Sequence, residues 1–239
     1  IPCRWLEIIS SLSSMDEHTS SPVLTVQIKG KQVDIRKVTC KQYYWSLVED
    51  IAERPTSYFK WESYYYYASF DWIAINQIPY ECTSETFLQS FQYKIIHRYF
   101  PCKYNLHLWN LENNNICVYC NQIDTLSHYF AECSIVTMFW ISVKKWFLRN
   151  FEFSINCTPL DILIGIPNFD KDVNISIFNF VVLFAKYFVY CCKQSNKPVD
   201  FFHFLVKLKT RIVYEEYRCK MFNKTHEFEM KWALINIVL

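Results

Sequence analysis

Ile116-Cys117-Val118-Tyr119-Cys120-Asn121-Gln122-Ile123-Asp124-Thr125-Leu126-Ser127-His128-Tyr129-Phe130-Ala131-Glu132-Cys133 carries three cysteines and one histidine in the spacing Cys-x2-Cys-x7-His-x4-Cys. Zinc takes four nitrogen or sulfur ligands in a tetrahedron, and two cysteines separated by two residues fold around one metal from a tight turn. Cys117 and Cys120 therefore read as a knuckle. Thr125 is placed to cap a short helix that presents His128, with Cys133 just beyond its end, so the second pair closes the tetrahedron from the opposite side. Four protein ligands leave no open position for the water that a catalytic zinc needs, and the expected Zn2+ site is structural. Its binding free energy would act as folding energy for a loop otherwise poor in apolar contacts. The competing reading is a set of ordinary buried thiols, because free cysteine is among the most buried residue types. All four ligands in one window at knuckle spacing favour the metal.

Helical periodicity surrounds the cluster on both sides. Upstream, Thr83 or Ser84 is placed to cap a helix reaching about Phe100, with Glu85 near its positive end and Pro101 past its stop. Phe87, Leu88, Phe91, Ile95 and Ile96 give that helix a buried face; Gln92, Lys94, His97 and Arg98 fall on the other. A short helix over residues 104–109 and a polar loop over 112–115 lead into the knuckle. Downstream, Ser134 is placed to cap an amphipathic helix to about Phe151, with Val136, Phe139, Trp140, Val143 and Phe147 inward and Lys144, Lys145 and Arg149 outward. Thr158-Pro159 starts another short helix that Gly165 and Pro167 end. Residues 174–194 and 199–221 read as two long helices joined at Asn196-Lys197-Pro198.

Nearer the N-terminus, residues 39–53 and 57–77 are aromatic-rich at helical spacing, and the run Tyr64-Tyr65-Tyr66-Tyr67 reads as packing because nothing basic interleaves it. Val26 and Ile28, then Val33 and Ile35, alternate on either side of Lys29-Gly30, which is a β-hairpin signal. Residues 10–21 read as a mobile linker. The expected fold is mainly α: an irregular helical domain with one N-terminal β-hairpin and a small CCHC zinc knuckle. Its segments are a linker and hairpin over 1–38, a helical region over 39–110, the knuckle and following helix over 111–151, and a C-terminal helical region over 152–239.

Composition narrows the function. Only Gly30 and Gly165 are glycines, so neither a glycine-rich phosphate loop nor a dinucleotide fingerprint is available. Hydrophobic residues form 51% of the 239, which removes an unfolded tail from consideration. The net charge of +2 decides nothing about partners, since local clustering is what nucleic acids read. Eleven cysteines, an odd number, argue against a fully paired disulfide framework and for a reducing, intracellular setting in cytoplasm and nucleus. Asn-x-Ser/Thr triplets at Asn156, Asn174 and Asn223 are of the kind that arise by chance in such a composition. The start has neither an initiator Met nor a signal-peptide pattern, as expected of a fragment. Residues 175–192 are the most apolar stretch, but Asn179 and Lys186 interrupt it, so a buried helix is expected and a membrane is not.

Several of these stretches carry a resemblance. Phe91-Gln92-Tyr93-Lys94-Ile95-Ile96-His97-Arg98-Tyr99-Phe100-Pro101, then Asn105-Leu106-His107-Leu108-Trp109, the ligand cluster and Met138-Phe139-Trp140 resemble the zinc-binding region that follows the polymerase in non-LTR retrotransposon reverse transcriptases of the long interspersed element type. Thr158-Pro159-Leu160-Asp161-Ile162-Leu163-Ile164-Gly165 and the helices after it are similar, less specifically, to the C-terminal tail of such proteins. The likeness covers roughly residues 39–232. It implies a module that holds template RNA or target DNA during target-primed reverse transcription. On it, Cys117, Cys120, His128 and Cys133 match the metal ligands, and His97, Arg98 and Pro101 match the preceding motif. Two positions depart from the family: Cys102 stands where a threonine is common, and Ile123-Asp124 replaces a more acidic pair; neither removes a ligand.

The residues themselves point the same way in part. Lys94, His97, Arg98, Lys103 and His107 form a basic strip mixed with Tyr93, Tyr99, Tyr104 and Trp109, suited to phosphate contacts and base stacking, or simply a solvated helix face. Lys94, His97, Arg98 and Lys103 are the nucleic-acid contacts expected from it. Catalysis is not expected. The chain has no Asp-Asp dipeptide for a polymerase metal pair, and Pro198-Val199-Asp200 with Glu215 lacks the strand and the lysine that a nuclease site needs. No spacing singles out a cysteine–histidine pair. The alternative to nucleic-acid binding is an architectural domain that zinc staples for docking on the polymerase region or on another protein.

Overall fold

A computed structural model describes residues 24–28, 31–151 and 157–236; the linker expected over 10–21 and the turn Lys29-Gly30 lie outside these. About 65% of the described residues are helical, and the one sheet among them is a two-stranded hairpin, so the fold is mainly α with an N-terminal β-hairpin. The chain divides into two compact units, Ile1–Arg54 and Pro55–Leu239, so the three later segments expected from sequence fall mostly within the second.

In the first unit β1 (Thr25–Ile28) pairs antiparallel with β2 (Lys31–Asp34), with Val26 opposite Val33. A helix α1 (Cys40–Ile51) follows, its start fixed by a capping box in which Thr39 and Gln42 satisfy each other's backbone N–H groups.

The second unit contains α2 (Thr56–Tyr64), α3 (Trp72–Cys82), α4 (Thr86–Ile96), α5 (Lys103–Leu108), a π turn (His128–Glu132), α6 (Ser134–Phe151), α7 (Pro159–Ile164), α8 (Val173–Gln194), α9 (Phe201–Met221) and α10 (Thr225–Asn236). The core is built on α8, which α3, α4, α7, α9, α10 and the π turn all contact. A helix apolar on every side must be surrounded. By length and composition α8 could cross a membrane, and 72% of its most apolar window is buried inside the fold.

Each polar residue in the middle of α8 has a partner from elsewhere in the chain. The Asn179 amide accepts from the Ile166 N–H and donates to the Ile166 carbonyl, pairing the chain after α7 as a strand neighbour would. The Lys186 ammonium donates to Gln92 Oε1 at 2.5 Å and to the Leu163 carbonyl at 2.8 Å, and Gln92 donates to that same carbonyl. Gln92, expected on the outer face of α4, is buried instead, while Phe87, expected inside, is exposed beside Arg211 and Tyr187. The buried lysine at the centre of α8 accounts for the exchange, since a buried ammonium needs oxygen acceptors more than the core needs another ring.

Burial pushes the Lys186 amine down to about 7 from 10.5. Below pH 7 both folded and unfolded chains hold the proton and the fold carries the full cost of charging a buried amine. Between about 7 and 10.5 the unfolded chain binds a proton that the fold has released, so this term makes stability rise with pH. Comparing the wild type with Lys186→Met over pH 7 to 9 by chemical denaturation should show a difference whose slope approaches about 1.4 kcal/mol per pH unit. Parallel curves would mean that the amine does not titrate in this window.

Helix ends show how a chain with two glycines turns corners. Arg98, Asn110, Asn196 and Asn223 have φ between 51 and 58°, the left-handed region. In each case that residue's N–H bonds the carbonyl three back, and the next N–H bonds the carbonyl five back, as with Asn196 to Lys193 and Lys197 to Cys192. This is the Schellman closure, with asparagine doing three times what glycine usually does. Gly165, with φ of +87°, ends α7, where an added Cβ would come within 3.0 Å of Ile78 Cδ1. The expected helix over 57–77 is broken: α2 stops at Tyr64, the tyrosine run forms its end, and Asp71 caps α3 through the N–H groups of Ile73 and Ala74. Likewise Thr83 closes α3 and does not cap α4, whose N-cap is Glu85, and α4 ends at Ile96, short of Phe100.

Candidate metal centre

The knuckle forms for local reasons. Ile116 and Ile123 make an isolated antiparallel bridge, and the Cys117 N–H bonds the Gln122 carbonyl at 2.8 Å. Asn121 takes the left-handed conformation that closes the turn between them. Thr125 Oγ1 accepts from the His128 N–H, as its place in the sequence implies. The turn that presents His128 is wider than an α-helix: the Cys133 N–H bonds the His128 carbonyl, five residues back. This extra width brings Cys133 round to the histidine's side, and α6 begins at the next residue.

The four ligand atoms all lie within 4.8 Å of one another. Cys117 Sγ is 3.9 Å from Cys133 Sγ, Cys133 Sγ is 3.7 Å from Cys120 Sγ, and Cys120 Sγ is 3.1 Å from His128 Nε2. A tetrahedron with metal–sulfur bonds of about 2.3 Å has a sulfur–sulfur edge of about 3.8 Å. A disulfide would need about 2.05 Å, and Cys117, Cys120 and Cys133 are free thiols. The cluster could therefore hold one metal ion. A hydrogen bond from Cys133 pulls the Cys117 thiol well down, and the Tyr119 N–H and the Lys193 ammonium add to that, so one thiolate is favoured before any metal arrives.

The loop is fastened to α8 through two contacts that spacing along the chain could not reveal. Lys193 Nζ lies 3.0 Å from Asp124 Oδ1, with both side chains 3% exposed, and sits 3.9 Å from the centre of the Tyr129 ring. Burial pushes the Asp124 carboxyl up while the Lys193 charge works against that rise. The Tyr119 hydroxyl donates to the Lys197 carbonyl at 2.5 Å, just past the end of α8. Asp124 also accepts from the Lys103 N–H and gives its carbonyl to the Tyr104 N–H, so α5 leans on the same residue. The only signal of this in the sequence is a lysine closing an apolar run, which demands an acceptor without naming it.

The strip ahead of the knuckle is not uniform. Lys94 is exposed and Lys103 partly so. Arg98 is turned back over the Trp61 ring, its guanidinium carbon 4.6 Å from the ring centre, and Trp61 in turn donates to the Ile96 carbonyl. Half-burial holds the His97 imidazole below its ordinary range, which favours the neutral ring at pH 7. His97 lies 4.1 Å from the Tyr93 ring and 6.5 Å from Tyr99, and both tyrosines are exposed. The strip thus offers a cluster of rings beside Lys94, with Arg98 serving the fold. Asp200 caps α9 by accepting from the His203 N–H, and Glu215 is buried on that helix about 22 Å further along, too far to share a metal with it.

No protein-family model matches this chain, and no curated protein matches it either.

Proposed function

We propose that Cys117, Cys120, His128 and Cys133 hold one structural zinc ion, and that the chain is a non-catalytic nucleic-acid-binding module of a non-LTR retrotransposon reverse transcriptase protein. The observation that carries the first part is the closed set of three sulfurs and one imidazole nitrogen within 4.8 Å. Soft thiolates with imidazole select zinc over calcium or magnesium, and a full set of four leaves no position for substrate. The second part is supported by the resemblance of residues 91–109 and of the ligand cluster to that family, and by the rings of Tyr93, His97 and Tyr99 grouped beside Lys94. Aromatic faces stack single-stranded bases and lysines neutralise phosphates, so RNA or single-stranded target DNA is the proposed partner.

Lys94→Glu with Lys103→Glu should weaken binding of a single-stranded oligonucleotide at low salt and flatten the salt dependence by about 0.7 in log–log slope for each phosphate that is no longer neutralised. Circular dichroism and metal content should be those of the wild type, because neither lysine is buried. Unchanged affinity and slope would remove the strip from the binding surface.

A further inference from the structure

We propose that the tyrosine run at the end of α2 is a second contact for single-stranded nucleic acid, extending the Tyr93, His97 and Tyr99 cluster, with Lys60 and Arg98 as its cations. The inference rests on the nucleic-acid reading above and gives it a further site. Along the chain nothing basic interleaves Tyr64-Tyr65-Tyr66-Tyr67, and such a run reads as packing. The structure uses one of the four rings in that way. Tyr65 is 5% exposed, whereas Tyr64, Tyr66 and Tyr67 are 57, 85 and 72% exposed.

The exposed rings are held in place by one another. Tyr64 meets Tyr65 edge-on with ring centres 4.8 Å apart, Tyr67 meets Tyr65 at 6.1 Å, and Tyr66 meets Tyr67 at 5.7 Å. Tyr65 lies 6.0 Å from the Trp61 ring in the core. Rings fixed edge-on leave their faces open to a planar base, and little side-chain freedom remains to be lost when one stacks.

Tertiary structure brings the charge that the run lacks. Arg98, from the end of α4, lies over Trp61, and the side chains that act most on its charge are Tyr65, Tyr64, Cys102 and Tyr104, none of them a carboxylate. Its Nη1 is buried and has no hydrogen-bond partner among the described residues. Lys60 is exposed on α2, one turn before Tyr64. Neither cation forms an ion pair with another described residue. The acids nearest in the chain are engaged elsewhere: Glu62 accepts from the Trp72 indole, and Asp71 accepts from the N–H groups of Ile73 and Ala74. A guanidinium that is partly out of water and faces no anion attracts one more strongly than a solvated charge does.

The patch adjoins the first cluster. Tyr58, near the start of α2, lies 5.9 Å from His97, which is 4.1 Å from Tyr93, and Arg98 follows His97 in the chain. A strand that stacks on both groups of rings passes Arg98 on the way. Bases need ring faces and phosphates need cations; the patch supplies both, and the run itself has no aliphatic side chain for an apolar partner to cover.

The test measures the anisotropy of a fluorescent oligothymidine of about 12 nucleotides, within the range that single-strand sites span, against the full chain at low salt. Tyr66→Ala with Tyr67→Ala should weaken binding about ten-fold, and Tyr66→Leu with Tyr67→Leu should do the same. Tyr66→Phe with Tyr67→Phe should bind as the wild type does, because a ring face and not a hydroxyl is what stacks. Lys60→Glu should weaken binding and lower the log–log salt slope by about 0.7. All three positions are exposed, so circular dichroism and metal content should not change. Alanine and Lys60→Glu variants that bind as the wild type does overturn the inference, while weaker binding by Lys94→Glu with Lys103→Glu in the same assay keeps the nucleic-acid reading without this site. A wild type that binds no oligonucleotide overturns both. Leucine variants with wild-type affinity would make the contact apolar and not stacked, and self-association that the alanine variant abolishes would assign the run to a second copy; either result overturns the inference too.

Discussion

One zinc ion per chain is the expected result of metal analysis on the purified protein, and Cys120→Ser is expected to lose it. Serine keeps the size of the side chain but removes the thiolate, and three remaining ligands hold zinc far less tightly. The cost should reach well beyond the loop. Cys117 and Cys133 are buried and pack in the same core as Phe100, Phe130 and Val136, so a sprung cluster exposes the π turn and the start of α6 together. Structural zinc contributes about 10–16 kcal/mol to small zinc-finger peptides. Here the Lys193–Asp124 pair and the Tyr119 bond to the Lys197 carbonyl hold the loop independently of the metal, so a smaller but still multi-kcal/mol loss is expected in thermal or chemical unfolding, and a strong chelator should reproduce it in the wild type. Cys40→Ser, which alters an exposed thiol outside the cluster, should leave metal and stability unchanged. Wild-type protein without stoichiometric metal, or a Cys120→Ser variant that retains it, would end the metal reading.

The second large effect is expected at a residue that binds no metal. Lys193→Met should destabilise the fold by about 3–5 kcal/mol, because it strands the Asp124 carboxylate in the interior with no cation to face it. Asp124→Leu should be comparably harmful, leaving the ammonium buried among the Tyr119 and Tyr129 rings. Breaking one partner costs more than removing both, so the double variant should recover most of the loss. Metal affinity should fall in Lys193→Met as well, since the Lys193 charge favours the Cys117 thiolate. Denaturation of the four proteins of this cycle, with competition against a zinc indicator, measures both. Single variants within half a kcal/mol of the wild type, as about expected for an exposed pair, would mean that the two side chains are not held together in the interior.

Much of the fold was legible in local pattern. Ser134 and Thr158 mark the starts of α6 and α7 within a residue, and the apolar stretch beginning near Val173 reads as the buried helix that it is. Helix ends were harder. With so little glycine, the closures fall on Arg98 and on asparagines, whose left-handed conformation depends on the carbonyls they meet. The break after Tyr64 was hidden because aromatic residues at helical spacing continue through it, while the cap at Asp71 shows only in its hydrogen bonds. In the candidate site, residue types and intervals single out the four ligands, and Thr125 marks the cap for His128. The different surroundings of Lys94 and Arg98 were not legible in the sequence, because a charged side chain can lie over a neighbouring ring as readily as reach into water.

The order of residues alone determined the mainly helical class, the hairpin and the identity of the four candidate ligands, since each depends on neighbours within a turn or a short loop. Tertiary structure decided which polar groups meet: Lys186 with Gln92, 94 residues away, and Lys193 with Asp124, 69 residues away. Those pairings follow from how helices pack. A buried charge must find an acceptor, but which acceptor is within reach is set only when distant segments share one core.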